Sequence, residues 1–279
     1  MAVLTPSEAA PHLRKAYKEG RLIPFLGAGF SVPLSLPSWR ELTGWMAKDV
    51  GFEADLFELH GRNEQLAEYF DRIGPRNLQR LIHEMTRRFD SAEAETKRKS
   101  SPTHQALARL NWHTLYTTNY DFHLEGALRD AGKQAVVLAS FDDFQGPRHP
   151  GACEVIKFHG TLEQPETIVL TESSYFQRMA LEAPPDQRLR ADLLSHGFLF
   201  IGYGFNDFNI RYIWYRMHQL RLQSQARRAP NDSGRRSFFA THGPGPVQPK
   251  ILDEWGIDVI QLDPTDKTAS VAELLQLIG

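Results

Sequence analysis

Short apolar runs alternating with helical patterns constrain this 279-residue chain more than any other feature. The runs cover Leu22 to Leu26, His113 to Thr117, Ala135 to Leu138, Glu154 to Phe158, Ile168 to Leu170, Gly197 to Ile201, Ser237 to Ala240 and Asp258 to Leu262. Helical spacing separates most of them, notably over Tyr120 to Ala131, Asp186 to Ser195, Ile210 to Leu222 and Ala269 to Leu277. Such alternation predicts an α/β fold: a Rossmann-like, mostly parallel sheet with helices on both faces. Pro11 predicts the first turn of a short helix that Gly20 ends. Ser38-Trp39-Arg40-Glu41 reads as a capping box, and Ser101-Pro102 as a second helix start. Between them the chain is charged, helix-favouring and nearly free of β-branched runs. Residues 39–109 therefore read as a helical insertion within one domain spanning 1–279.

Charge and cysteine content narrow the function classes. With 32 basic against 34 acidic residues, the net charge of −2 gives no bulk attraction for nucleic acid or a membrane surface. The Arg-, Ser- and Gly-containing stretch 223–236 and the Lys97-Arg98-Lys99 run read as solvated surface, so no direct nucleic-acid contact is expected. No apolar run approaches the roughly 18–20 residues of a membrane span, and Met1 to Pro6 lacks signal-peptide character, which predicts a cytoplasmic protein. Cys153 is the lone cysteine, and the eleven histidines show no tight ligand spacing, so no metal is expected.

Several polar clusters follow the apolar runs. In an open α/β sheet such positions become neighbours beyond the carboxyl ends of the strands. Gly27-Ala28-Gly29-Phe30-Ser31 predicts a tight loop whose main-chain N–H groups face a pyrophosphate, or simply a turn. A third dinucleotide-fingerprint glycine is missing, because Val32 stands near that place. Thr118-Asn119-Tyr120-Asp121 offers an amide that either binds ligand or caps a helix starting near Tyr120. Lys157-Phe158-His159-Gly160 ends a strong strand, and Gly160 lets the chain turn away and leave the His159 imidazole facing the crevice, either as a structural side chain or as a group able to accept a proton near neutral pH. Ile201-Gly202-Tyr203-Gly204-Phe205-Asn206-Asp207 adds two glycines for close ligand approach and an acid, Asp207, that bonds a ligand hydroxyl or caps a helix.

Taken in this order, with Pro37-Ser38-Trp39-Arg40 after the first cluster, these motifs resemble the sirtuin signature, and the GYGF form looks more like the sirtuin-like domains of bacterial antiphage effectors. The resemblance implies NAD as substrate, His159 as general base and Asn119 beside the nicotinamide ribose. It further implies that Gly27, Ala28, Gly29, Ser31, Arg40, Thr118, Asp121, Gly202, Gly204 and Asp207 line the NAD site, with Asp121 near the carboxamide. Thr118 stands where sirtuins usually carry glutamine. The four-cysteine zinc module of the deacylases is absent. The expected activity is therefore an NAD+ glycohydrolase that releases nicotinamide and ADP-ribose and depletes cellular NAD in antiphage defence. A sirtuin-type protein deacylase and a non-catalytic NAD or ADP-ribose sensing module are the alternatives. By analogy with related defence systems, control is expected from a homo-oligomer or from a partner such as a prokaryotic Argonaute or a translocase-type ATPase.

Overall fold

The computed structural model describes residues 3–59, 61–147, 149–204, 208–225 and 236–279. Helix α1 (Pro6–Lys18) leads into β1 (Leu22–Leu26) and a 3-10 turn over Ala28–Leu34. Helices α2 (Trp39–Asp49), α3 (Ala54–Leu59), α4 (Asn63–Ile73), α5 (Asn77–Phe89), α6 (Ala92–Ser100) and α7 (Pro102–Arg109) follow. The chain then forms β2 (Thr114–Thr117), α8 (His123–Asp130), β3 (Ala135–Leu138), α9 (Phe141–Gln145) and β4 (Cys153–Lys157). Helices α10 (Glu172–Arg178) and α11 (Pro184–Asp192) precede β5 (Gly197–Ile201) and α12 (Phe208–Gln225). The remaining elements are β6 (Ser237–Thr241), α13 (Gln248–Glu254), β7 (Ile257–Gln261) and α14 (Lys267–Gln276).

All described strands pair in parallel, in the order β3-β4-β2-β1-β5-β6-β7. After β4 the chain crosses to the far side of β1, so the topological switch lies between β1 and β5, where ligands bind in such sheets. Every residue of β1 and β5 is buried, which explains their unbroken apolar sequences. Pro24 is tolerated in the central strand by its position. Gly27 donates to Ile201 on β5, so two-residue alternation turns the nitrogen of Pro24 toward β2, which pairs with β1 only at Phe25 and Leu26.

Alternate strand residues feed two cores. Leu26, Leu115, Val155, Leu199 and Ile260 pack with residues of α1, α7, α8 and α14 on one face. Phe25, Tyr116, Ile156, Phe200 and Val259 pack with residues of α11, α12 and α13 on the other. A third core joins α2, α4 and α5 to Tyr120, Leu162 and Leu170, so the loops after β2 and β4 are plugged into the helical layer.

Three expectations change. Helix α1 begins at Pro6, because Thr5 and Glu8 form a capping box a turn ahead of Pro11, which lies inside the helix. Residues 168–170 are loop: Val169 donates to the His159 carbonyl at 2.9 Å and Leu170 enters the third core, so apolarity there marks burial without a sheet partner. Helix α8 starts at His123, whose N–H donates to Asp121 Oδ1 at 3.0 Å. Ser38 and Ser101 cap α2 and α7 as predicted. Residues 226–235 of the predicted basic loop lie outside the described residues.

Candidate active site

Strand register assembles the site. Leu26 pairs with Thr117 and with Ile201, and Thr117 pairs with Lys157, so four strands reach one row and release their polar loops side by side. Asn119 and His159 each stand two residues beyond a paired position of that row.

The first and fourth clusters pack on each other. Gly27 N donates to Ile201 O and Gly29 N to Gly202 O, each at 2.9 Å. A side chain at Gly29 would meet the Gly202 backbone at 2.8 Å, and Gly202 itself has φ +83°. These glycines thus allow two loops to touch at the switch point. The amides of Gly27 and Gly29, expected to face a phosphate, are instead used within the fold. Gly204 differs, with open space around it, and Ala28 is exposed.

Asn119 is buried, and its Nδ2 donates to Ser31 Oγ at 3.1 Å and to Gly27 O at 3.3 Å. Its side chain joins the first two clusters and does not cap α8; Asp121, two residues on, accepts the His123 N–H at the start of that helix. Thr118 Oγ1 lies 3.0 Å from the hydroxyl of Tyr203, which donates to Leu26 O at 2.9 Å. Tyr203 therefore spans the motifs after β1, β2 and β5. The sequence signal for this bridge is an aromatic residue set between two loop glycines, Gly202 and Gly204.

Asp121 is 3% exposed, and its carbonyl accepts from Lys157 Nζ. Lys157 is fully buried and ion-pairs with Glu125 of α8 at 2.8 Å, fastening the Asn119 loop to the strand that carries His159. Such a pair is costly to break, because the remaining charge would be left in the interior.

His159 is 7% exposed, less than its predicted place at an open crevice implied. Gly160, at φ +85°, turns the chain so tightly that a Cβ would meet the Thr167 carbonyl at 2.2 Å. The imidazole packs edge-on against Tyr175, 5.4 Å between centroids, and beside Phe158. Burial, aided by the charge of Arg178, pushes its pKa down to about 3, so it is neutral at physiological pH.

Arg40 stands apart, exposed on α2 and paired with Asp55 at 3.1 Å. Asp207 lies outside the described residues. On the β5 side of the switch, a cavity of about 240 Å³ is bounded by Gly29, Gly202, Tyr203, Gly204, His242 and Lys267, among others. Among the described residues, no group of three or more His, Cys, Asp or Glu could hold a metal, and no helix is long and apolar enough to cross a membrane.

The chain is 31% identical over 209 residues to the NAD(+) hydrolase ThsA of Bacillus cereus (strain MSX-D12), covering 73% of this chain and 41% of that protein. To the ThsA of Acinetobacter baumannii (strain 532279) it is 30% identical over 211 residues, covering 71% of this chain and 39% of that protein. Defense-associated sirtuin 2 of Bacillus subtilis is 24% identical over 251 residues, 88% of this chain and 23% of that protein. The chain thus spans about two fifths of the length of its ThsA relatives. A SIR2-like domain model matches residues 113–260, from just before β2 through β7, and on that match the chain belongs to the SIR2-like family.

Proposed function

We propose that this chain is an NAD+ hydrolase that cleaves the nicotinamide-ribose bond and acts as an NAD-depleting effector in antiphage defence. The observation that carries the reading is the shared strand-end row, which brings Asn119, Ser31 and Gly27 into one hydrogen-bonded set beside the strand bearing His159. Relatives named NAD(+) hydrolase and defense-associated sirtuin support it.

In this reading the adenosine half of NAD enters the cavity beside Gly204, and the nicotinamide end reaches across the switch toward Asn119 and His159. Ala28, Ser31, Thr118 and Asp121 line the path between. Bond cleavage expels neutral nicotinamide and leaves an oxocarbenium-like ribose C1′. Water adds to C1′, and its proton passes to the neutral imidazole of His159 and then to solvent. Water attacking a cationic centre is strongly acidic, so even a weak base suffices, and a ring that is uncharged until it takes that proton does not repel the cation as it develops. The Nδ2 of Asn119 is already committed to Ser31 and Gly27. Its Oδ1, which bonds no described residue, orients the water or a ribose hydroxyl. Positioning and desolvation supply the remaining acceleration.

Residues 39–109 are proposed as an insertion within a single catalytic domain, through which self-assembly or a partner chain controls the site. The test is chromatography of NAD incubated with purified protein across a concentration series. Nicotinamide and ADP-ribose in equal amounts, with specific activity rising with concentration, are expected. Acyl-ADP-ribose formed with an acylated peptide would favour a deacylase, and unchanged NAD at every concentration would reject the hydrolase reading.

A further inference from the structure

Strand β4 ends at Lys157, yet main-chain hydrogen bonds to neighbouring segments continue as far as His159, two residues later. Phe158 N still donates to Thr117 O at 2.7 Å, and the His159 carbonyl accepts from Val169 N at 2.9 Å. The carbonyl of Phe158, in the peptide that leads into His159, accepts from no strand residue among those described. Arg178 supplies the donor: its Nη1 donates to Phe158 O at 2.7 Å. The same guanidinium forks onto Asp186 of α11, with Nε at 2.9 Å and Nη2 at 2.5 Å, and lies 4.7 Å from the centroid of the Phe158 ring. It is thereby fixed on three sides, by a carboxylate, a carbonyl and an aromatic face. Tyr175, three residues earlier on α10 and so on the same helix face, lies edge-on to the His159 ring with an interplanar angle of 85°.

We propose that Arg178 and Tyr175 are positioning residues for His159: Arg178 fixes the peptide that sets its backbone direction, and Tyr175 fixes the plane of its ring. The proposal rests on the reading of His159 as the base. Guanidinium geometry is essential to it, because a lysine ammonium cannot serve a carboxylate and a carbonyl in fixed directions while stacking on a ring. Among the described residues, the charged groups tied to this segment are Arg178, its partner Asp186 on α11, and on β4 Lys157, itself paired with Glu125. Of these, only Arg178 acts appreciably on the imidazole, and as a cation it disfavours a second positive charge there.

Three variants of the full chain test the proposal: Arg178→Lys, Arg178→Ala and Tyr175→Leu. Each is followed by NAD kinetics, by thermal melting and by NMR of the His159 ring. Arg178→Lys and Tyr175→Leu are expected to lose about tenfold or more in kcat with KM for NAD within about twofold, and to shift the His159 resonances. Arg178→Ala removes the neighbouring cation, so the His159 titration and the acid limb of kcat/KM are both expected to move upward from about pH 3. Folded Arg178 variants with wild-type kcat, or with a kcat loss but unmoved His159 resonances, would overturn the proposal. If Arg178→Ala does not fold, Arg178→Lys decides, and unfolding of both would make Arg178 merely structural. The NMR arm needs no turnover, so it still decides should the wild-type chain leave NAD intact.

Discussion

Replacing His159 with alanine removes both the proposed base and a ring packed between Phe158 and Tyr175. His159→Ala is therefore expected to lower NAD turnover by about 10²–10⁴-fold and to cost about 1–3 kcal/mol of stability. Product chromatography and urea melting separate the two effects, and a folded variant with the wild-type rate would remove His159 from the mechanism. Asn119→Ala presents a different balance. It strips the donor from Ser31 Oγ and Gly27 O in a buried setting, with an expected cost of about 1–3 kcal/mol together with loss of turnover. Since Asn119 does not cap α8, hydrogen exchange in that helix is expected to stay unchanged. Faster exchange confined to α8 would revive the capping role.

At the scale of elements, α10 links the helical layer to His159. Glu68 of α4 accepts from Ser173 N at 3.1 Å and from Ser173 Oγ at 2.8 Å, and Gln65 donates to Glu172 at 2.8 Å. Burial alone would raise the carboxyl of Glu68, but the bonds from Ser173 and Arg72 outweigh it and hold the pKa at about 2. Glu68→Ala is thus expected to speed amide exchange in α10 and to lower kcat with little change in KM. The mutation leaves the Ser173 N–H, in the first turn of the helix, without its acceptor. Unchanged exchange in α10 would show that packing of the third core suffices to hold it. This link was not legible in the sequence, because Glu68 and Ser173 lie 105 positions apart and nothing in local periodicity pairs them.

Across the whole molecule, two buried histidines set the acid limit of the fold. Burial pushes His104 down to about 4, and burial with the Arg178 charge pushes His159 to about 3, against an ordinary value of 6.5. Between those values and 6.5 the unfolded chain binds more protons than the native one, so stability rises with pH there and is lost as pH falls below about 6.5. Each ring contributes a slope of up to about 1.4 kcal/mol per pH unit. Urea midpoints of the wild type are expected to fall between pH 7 and pH 5 more steeply than those of a His104→Gln, His159→Gln double variant. Equal slopes would show that neither ring is held neutral.

The sequence by itself determined the local pieces: apolar β1 and β5, the Ser38 and Ser101 caps, and polar motifs placed directly after strands. Each depends on residues within a few positions of one another, where side-chain period and hydrogen-bonding chemistry suffice. Tertiary structure alone decided which motifs touch. It brought Asn119 to Ser31 across 88 positions and Tyr203 to Leu26 across 177, spent the amides of Gly27 and Gly29 on the β5 loop, and drew residues 168–170 out of the sheet. It also buried His159 beneath Tyr175 and anchored its backbone with Arg178. Those contacts follow from parallel strand order and register, which bring distant strand ends into one row, and the period of a single strand carries no information about its neighbours.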